Sequence, residues 1–352
     1  MTAEEARINI LNLSRDQLGE WLAERGIAAY RAGQILKWIY RRQKDSFADM
    51  SDIARDVRAL LPQHFRIPRL EVMALQSSAD GTRKYLFGLE DGESIESVLI
   101  PERDHYTLCV SSQAGCAQNC RFCLTAKSKL RRNLAPGEIL SQVRDIKNDL
   151  PAPEQLTNLV FMGMGEPLAN FDNLMAALAI ITDSDVGLGF AAKRVTVSTA
   201  GLVPKMLDFG RQSRVSLAVS LNAADNETRS RLMPINRKYP LETLLEACRN
   251  YPLPPGRRIT FEYILIKGVN DAQEDARRLA RLLQPIRCKV NLIPFNPHEG
   301  SNFERPSENT ILAFQEVLLR KHYTAIIRHS KGQDISAACG QLRARIPQES
   351  NE

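Results

Sequence analysis

Three cysteines stand at Cys116, Cys120 and Cys123 in the stretch GCAQNCRFC, a C-x3-C-x2-C spacing. Soluble metal sites built from cysteine alone usually take four thiolates, and no fourth follows closely here. A closed tetrahedral zinc site is therefore poorly served. An iron–sulfur cubane takes one ligand per iron, so three thiolates would leave one iron open to bind a substrate or cofactor. Three unrelated buried cysteines are the bland alternative.

Other residues ask for a chemical reading. Cys339 is isolated in the small-residue context ISAACGQL, where backbone and sulfur look accessible. Cys109 lies on the run TLCVSS that leads into the triplet. A lone cysteine is usually a buried structural one, yet two thiols near a reactive centre can act as a redox or covalent pair. Cys248, within a helix, and Cys288, at a strand start, read as structural. The turn GMGEPL offers Gly165 for close backbone approach and Glu166 as an acceptor for an ammonium group. VSTAG, SLNA and LIPFN place Ser198, Ser220, Leu221, Asn222 and Asn296 at the ends of later strands.

Elements that could position these residues follow a clear rhythm. Residues 1–65 read as a helical N-terminal domain, with a Ser14 cap, a stop at Gly26, and Ala32, Ile35, Leu36 and Ile39 on one helix face. Residues 66–104 read as an antiparallel β meander with turns at Asp80-Gly81 and Asp91-Gly92. From 105 to 330, β-branched runs alternate with amphipathic helices, which predicts an α/β fold with a parallel sheet. About six repeats with polar strand ends fit a partial or full barrel, its site at the C-terminal strand face. An open doubly wound sheet is the alternative. Residues 331–352 form a tail.

The chain has 352 residues, is 43% hydrophobic and 25% charged, and shows no apolar run of membrane-spanning length. Without a secretory leader pattern, the cytoplasm and a monomer with no membrane partner are expected. Seven cysteines, three of them clustered, do not read as a disulfide framework. The net charge of +6 permits a nucleic-acid partner without demanding one. Basic runs at 30–44, 127–133 and 328–331 are each read first as solvated surface.

With Phe122 just before its last cysteine, the triplet resembles the radical S-adenosylmethionine (SAM) superfamily. That resemblance implies a 4Fe-4S cluster on Cys116, Cys120 and Cys123, with SAM chelated at the open iron and cleaved to methionine and a deoxyadenosyl radical. It also implies a partial (βα)6 barrel, in agreement with the strand–helix count. Gly165 and Glu166 fall where the superfamily binds the SAM amino group. Ser198, Ser220, Leu221, Asn222 and Asn296 are implied for its ribose and methionyl parts.

A narrower resemblance covers almost the whole chain. LCVSSQAGCAQNCRFC, RRNL, GMGEPL, RVTVSTAGLVP, SLNAADNETR, MPINRKYP, EYILIKGVND, NLIPFNP and DISAACGQL are similar to the RlmN/Cfr family of dual-specificity RNA methyltransferases. The resemblance implies methylation of an adenine carbon in 23S rRNA and of a tRNA adenosine beside the anticodon, with two SAM per turnover. Cys339 is implied as an S-methylcysteine carrier, Glu96 as the proton acceptor, and Cys109 as the resolving thiol that leaves a transient disulfide. A flavodoxin or ferredoxin is implied as electron donor. Carbon 2 is the expected position; carbon 8 methylation, or a non-catalytic iron–sulfur RNA-binding protein, are the alternatives. Asn222 stands where many relatives carry His, and Lys331 and Gln333 stand where Arg and Asp are common.

Overall fold

A computed structural model of the chain describes residues 7–298 and 300–344. The end of the tail expected over 331–352 lies outside the described residues.

The N-terminal helices form for the reasons the sequence suggests. Ser14 caps α1 (Arg15–Ala23): its hydroxyl accepts the Gln17 N–H at 3.1 Å, and the Gln17 side chain accepts the Ser14 N–H at 2.9 Å. This is a reciprocal capping box. α2 (Arg31–Leu36) buries Ile35 and Leu36 and widens into a π turn over Lys37–Arg41, and α3 (Arg55–His64) follows. The domain shares one hydrophobic core with the rest of the chain. Lys37 pairs with Asp185 at 2.7 Å and Arg41 donates to the Ser184 carbonyl. Part of the basic run at 30–44 is thus tied to the chain itself.

One ten-stranded sheet organises the remainder. Its meander is β1 (Glu71–Ser77), β2 (Arg83–Gly88) and β3 (Ser94–Pro101). Gly81 and Gly92 turn the two hairpins at φ +84° each, a region glycine enters without strain. The parallel part is β4 (Tyr106–Cys109), β5 (Leu156–Phe161), β6 (Val195–Thr199), β7 (Ser216–Ser220), β8 (Ile259–Leu265), β9 (Cys288–Pro294) and β10 (Ala325–Ile327). Crossovers carry α4 (Pro136–Asn148), α5 (Phe171–Thr182), α6 (Val203–Gln212), α7 (Asn226–Leu232), α8 (Leu241–Arg249), α9 (Gln273–Leu283) and α10 (Glu308–Arg320).

Every strand lies beside its neighbour in sequence, from β1 at one edge to β10 at the other. A doubly wound sheet reverses its strand order at a switch point; this one does not. The expected partial barrel is therefore the fold, and the meander pairs the edge of β4 that would otherwise be open.

Strand alternation separates two surfaces. Val195, Val197, Leu217, Val219, Phe261, Tyr263, Val290 and Leu292 are fully buried on the helix side. Each such side chain contributes about 1.5–3 kcal/mol by leaving water. The register places Cys109 beside Val160 and Val160 beside Thr196; further along, Ser220 lies beside Glu262 and Glu262 beside Asn291. The concave face is thus polar along most of its width.

Candidate active site

The cysteine loop leaves β4 through a turn only glycine can make. Gly115 has φ +77°, and a Cβ there would stand 1.7 Å from the Lys129 carbonyl oxygen. A two-strand ladder, Gln113–Ala114 with Arg132–Asn133, closes the base of the loop. Cys120 and Cys123 pack against a small apolar cluster containing Phe122, Leu232, Met233, Ile266 and Phe295. Burial raises the Cys116 thiol to about 12 and the Cys120 thiol well above its ordinary value. The charges of neighbouring cysteines add to the rise in both, so the triplet shares one neighbourhood. Such thiols ionise when a cation binds them.

Among the described residues, no three Cys, His, Asp or Glu side chains form a group suited to holding one metal ion. A cubane has a different requirement, because each thiolate meets a different iron. Three softly ligating sulfurs on one loop, shielded by apolar side chains, fit such a cluster.

Glu166, 3% exposed, lies beside the loop. Its Oε1 accepts the Leu168 N–H at 3.1 Å and its Oε2 accepts the Ala200 N–H at 2.7 Å. The Thr199 side chain bonds the same carboxylate. Burial pushes its carboxyl up to about 7 against these bonds. Gln113 holds the same turn, its Oε1 accepting the Glu166 N–H at 2.8 Å. Gly165, at φ +103°, packs so closely on Gln113 that a Cβ would stand 2.6 Å from its side chain.

The other candidate SAM contacts divide into two kinds. Ser198 and Ser220 are half-buried on the concave face. Asn296 is 4% exposed, and its Oδ1 is buried with no hydrogen-bond partner among the described residues. An orphaned acceptor of this kind asks for a donor, which an ammonium or hydroxyl group of SAM can supply. Leu221 and Asn222 are instead turned into the protein. Leu221 is fully buried, and its main chain bonds Glu262 and Arg229. The Asn222 carboxamide, expected to reach ribose or carboxylate, accepts the Ile264 N–H at 2.8 Å and donates to the Met233 sulfur at 3.2 Å. Its φ of +59°, a conformation asparagine tolerates, directs it there.

Arg229 is a site residue that the sequence motifs do not single out. Fully buried on α7, it donates to the carbonyls of Ala200 (2.8 Å), Ser220 (3.2 Å) and Leu221 (3.0 Å) and to Asn236 Oδ1 (2.9 Å). One guanidinium thereby fastens the ends of β6 and β7 beside the cysteines. Burial lowers its pKa to about 10, while the nearby Cys120 acts in the opposite direction. Only its place in the charged string ADNETR hints at this.

The described part of the tail around Cys339 is firmly docked on the barrel. The Gly340 carbonyl accepts the Leu124 N–H at 2.7 Å, and the Leu342 carbonyl accepts the Thr125 hydroxyl at 2.8 Å. Gln341 donates to the Pro297 carbonyl at 2.9 Å, and Asn296 donates to the Cys339 carbonyl at 3.4 Å. Cys339 retains solvent access, yet the surrounding protein desolvates its thiol and raises it to about 11, with Glu262 the next cause. Cys109, 7% exposed, is raised further still, by burial first and then by the charge of Cys339. The two sulfurs are both free thiols, near enough for the charge of Cys339 to bear on Cys109, and Cys123 also bears on Cys339. Cys248 and Cys288 are buried in the main core as structural cysteines.

Two carboxylates lie on the same concave face. Glu96 and Cys109 both project there, because Val98 pairs with Cys109 and Glu96 stands two residues away. Glu262, which the sequence does not single out, accepts from Asn291 Nδ2 at 2.9 Å.

The fold, the three-cysteine loop and the polar concave face define a radical SAM protein, and residues 110–280 match the model of the Radical SAM superfamily. Residues 8–67 match a second model, the ribosomal RNA large subunit methyltransferase N-terminal domain. The chain is 57% identical to a dual-specificity RNA methyltransferase RlmN of Desulfosudis oleivorans, across 96% of this chain and 91% of that one. It is 55% identical to the protein of the same name from Geobacter sulfurreducens, across 97% and 94%. A crystal structure of a radical SAM methyltransferase from Sphaerobacter thermophilus superposes with a TM-score of 0.89, at 43% identity, covering 96% of this chain and all of that one. The chain belongs to the RlmN family.

Proposed function

We propose that this chain methylates carbon 2 of an adenosine in 23S rRNA, and of a tRNA adenosine beside the anticodon, using Cys339 as methyl carrier. The observation that supports the reading is the docking of the Cys339 segment on the cysteine loop, through Leu124 and Thr125, with the charge of Cys339 bearing on Cys109. Cys116, Cys120 and Cys123 would hold a 4Fe-4S cluster whose open iron, with SAM bound, supplies a deoxyadenosyl radical. Glu166, Ser198, Ser220 and Asn296, at or just beyond the ends of barrel strands, would orient SAM, of which two molecules would serve each turnover.

The chain's own residues then have distinct tasks. Cys339 loses its proton and takes a methyl group as a thioether, so that a carbon enters the active site already attached to the protein. Once that carbon, having lost one hydrogen atom to the deoxyadenosyl radical, is joined to the adenine, Glu96 accepts the proton leaving the ring and the surplus electron returns to the one-electron carrier. The Cys109 thiolate attacks the Cys339 sulfur, the bond from that sulfur to the methylene carbon breaks, and the methylene gains a proton to become methyl. The resulting Cys109–Cys339 disulfide is reduced before the next cycle, and an external flavodoxin or ferredoxin supplies the electrons for the radical step. Because this chemistry needs the base inside a protein cavity, the adenine must leave its stack.

Cys109→Ala tests the assignment. The variant should accumulate a covalent protein–RNA adduct under anaerobic turnover, visible on a denaturing gel, and release at least about a hundredfold less methylated RNA. Normal product release by this variant would remove Cys109 from the mechanism. Nucleoside mass spectrometry of the wild-type product, against 2- and 8-methyladenosine standards, decides between the two ring positions. Absence of both methyladenosine and deoxyadenosine from a cluster-loaded sample would favour a non-catalytic iron–sulfur protein.

A further inference from the structure

The segment that carries Cys339 is held on both sides by one pair of side chains from the meander. Glu96, on β3, is 3% exposed, and its Oε2 accepts the N–H of Arg343 at 2.6 Å and of Ala344 at 3.1 Å. Lys84, on β2, is 8% exposed; its Nζ lies 3.3 Å from Glu96 Oε1 and donates to the Ser336 carbonyl at 3.4 Å. Lys84 pairs with Val98, and Leu86 with Glu96, so the two charges stand on one diagonal of the concave face. Backbone before Cys339, at Ser336, and after it, at Arg343 and Ala344, is thus fastened to a single buried ion pair.

We propose that Lys84 is a positioning residue of the reaction, which with Glu96 forms a latch fixing the Cys339 segment to the carboxylate that serves as proton acceptor. The inference rests on the role of Glu96 proposed above. In that chemistry the methylene on Cys339 and the departing proton belong to the same ring carbon. Carrier and base must therefore address one atom, and small errors in such placement are costly in rate. Binding the carrier's backbone to the base itself fixes their separation. The acceptor sites also divide suitably: the two at Oε2 are filled by tail N–H groups, whereas Oε1 spends one on Lys84 and keeps one for a proton.

A lysine that only neutralises a buried carboxylate would not need to reach Ser336, and this difference can be measured. Hydrogen exchange of the cluster-reconstituted full-length protein, read by mass spectrometry, reports the Arg343 and Ala344 amides directly. Lys84→Met should speed exchange in residues 341–344 at least about tenfold, with exchange in β8 unchanged. Lys84→Arg should restore most of the protection. RNA methylation should fall at least about tenfold in Lys84→Met and recover in Lys84→Arg. Wild-type exchange at Arg343 and Ala344 in Lys84→Met would overturn the latch, whatever the activity. Faster exchange with wild-type RNA methylation would overturn the positioning role. If Lys84→Met fails to fold, Glu96→Gln, which keeps an acceptor but not the charge, reads the same amides. Wild-type protein that shows the protection but never methylates RNA would sink the proposed function and leave the latch standing.

Discussion

The two halves of the site are built by opposite strategies. On the cluster side, three cysteines sit within one loop, and rigid, buried groups hold the surroundings: Gly115 against Lys129, Glu166 on Ala200, and Arg229 on the ends of β6 and β7. On the carrier side, the parts come from distant segments: Lys84 and Glu96 from the meander, Cys109 from β4, and Cys339 from the tail. The first half resembles a prebuilt socket. The second exists only while residues 336–344 are docked, which would suit Cys339 in the carrier role proposed above.

This contrast predicts a large separation of activities. Cys120→Ser should abolish iron binding, SAM cleavage and RNA methylation together, each by about a thousandfold or more, because the cofactor supplies the difficult chemistry. Cys339→Ala should abolish RNA methylation equally, yet retain SAM cleavage within about tenfold. Iron content and deoxyadenosine release, measured beside product, check both. Equal loss of SAM cleavage in the two variants would show that the halves do not work independently.

The same contrast explains what could be read from sequence. Cys116, Cys120 and Cys123 announce themselves because spacing within one loop is a local property. The partial barrel was equally legible, since strand and helix periods repeat along the chain. The concave carrier site was not. Nothing local marks Lys84 or Glu262, which on their own strands read as ordinary charges; only the register turns them inward. Glu96 was accessible solely through family resemblance. Nothing marks Arg229 because a buried arginine looks like its exposed neighbours until its acceptors are known, and those lie in three other segments, at Ala200, at Ser220 and Leu221, and at Asn236. Asn222 shows the converse: a polar residue at a strand end in a ligand-like motif spends its side chain on Ile264 and Met233.

A smaller effect should come from the socket's fastening. Arg229→Met removes a buried cation and leaves the Ala200, Ser220 and Leu221 carbonyls without this donor. Unsatisfied buried acceptors of this kind destabilise by about 1–3 kcal/mol each, partly relieved by relaxation. We expect a loss on the order of 3 kcal/mol in urea unfolding of the cluster-free chain. Lys84→Met, on the carrier side, should change global unfolding far less. A reversed ranking would mean that the tail clamp, and not the arginine, holds the architecture together.

The finest test concerns Glu262, the carboxylate whose charge bears on Cys339. Burial raises its pKa from 4.5 to about 7, opposed by its bond from Asn291 and by the charges of Arg328 and Lys289. A carboxyl that ionises less readily folded than unfolded supports the fold most while protonated in both states. Its contribution is therefore complete below about pH 4.5 and lost as pH rises through about 7. The interval corresponds to about 3 kcal/mol as an upper figure. Glu166, raised to about 7 on the cluster side, has the same sign and window. Wild-type cluster-free protein should thus lose stability between pH 5 and pH 8, and Glu262→Gln should remove about half of that slope. Parallel stability curves would deny Glu262 its raised pKa. A second readout separates the halves: the Glu262 charge raises the Cys339 thiol, so Glu262→Gln should make Cys339 easier to ionise. Its alkylation by iodoacetamide at pH 8, followed on the tail peptide, should accelerate by about two- to fivefold. Cys116 should not respond, because Glu166 and not Glu262 is the carboxylate whose charge bears on it.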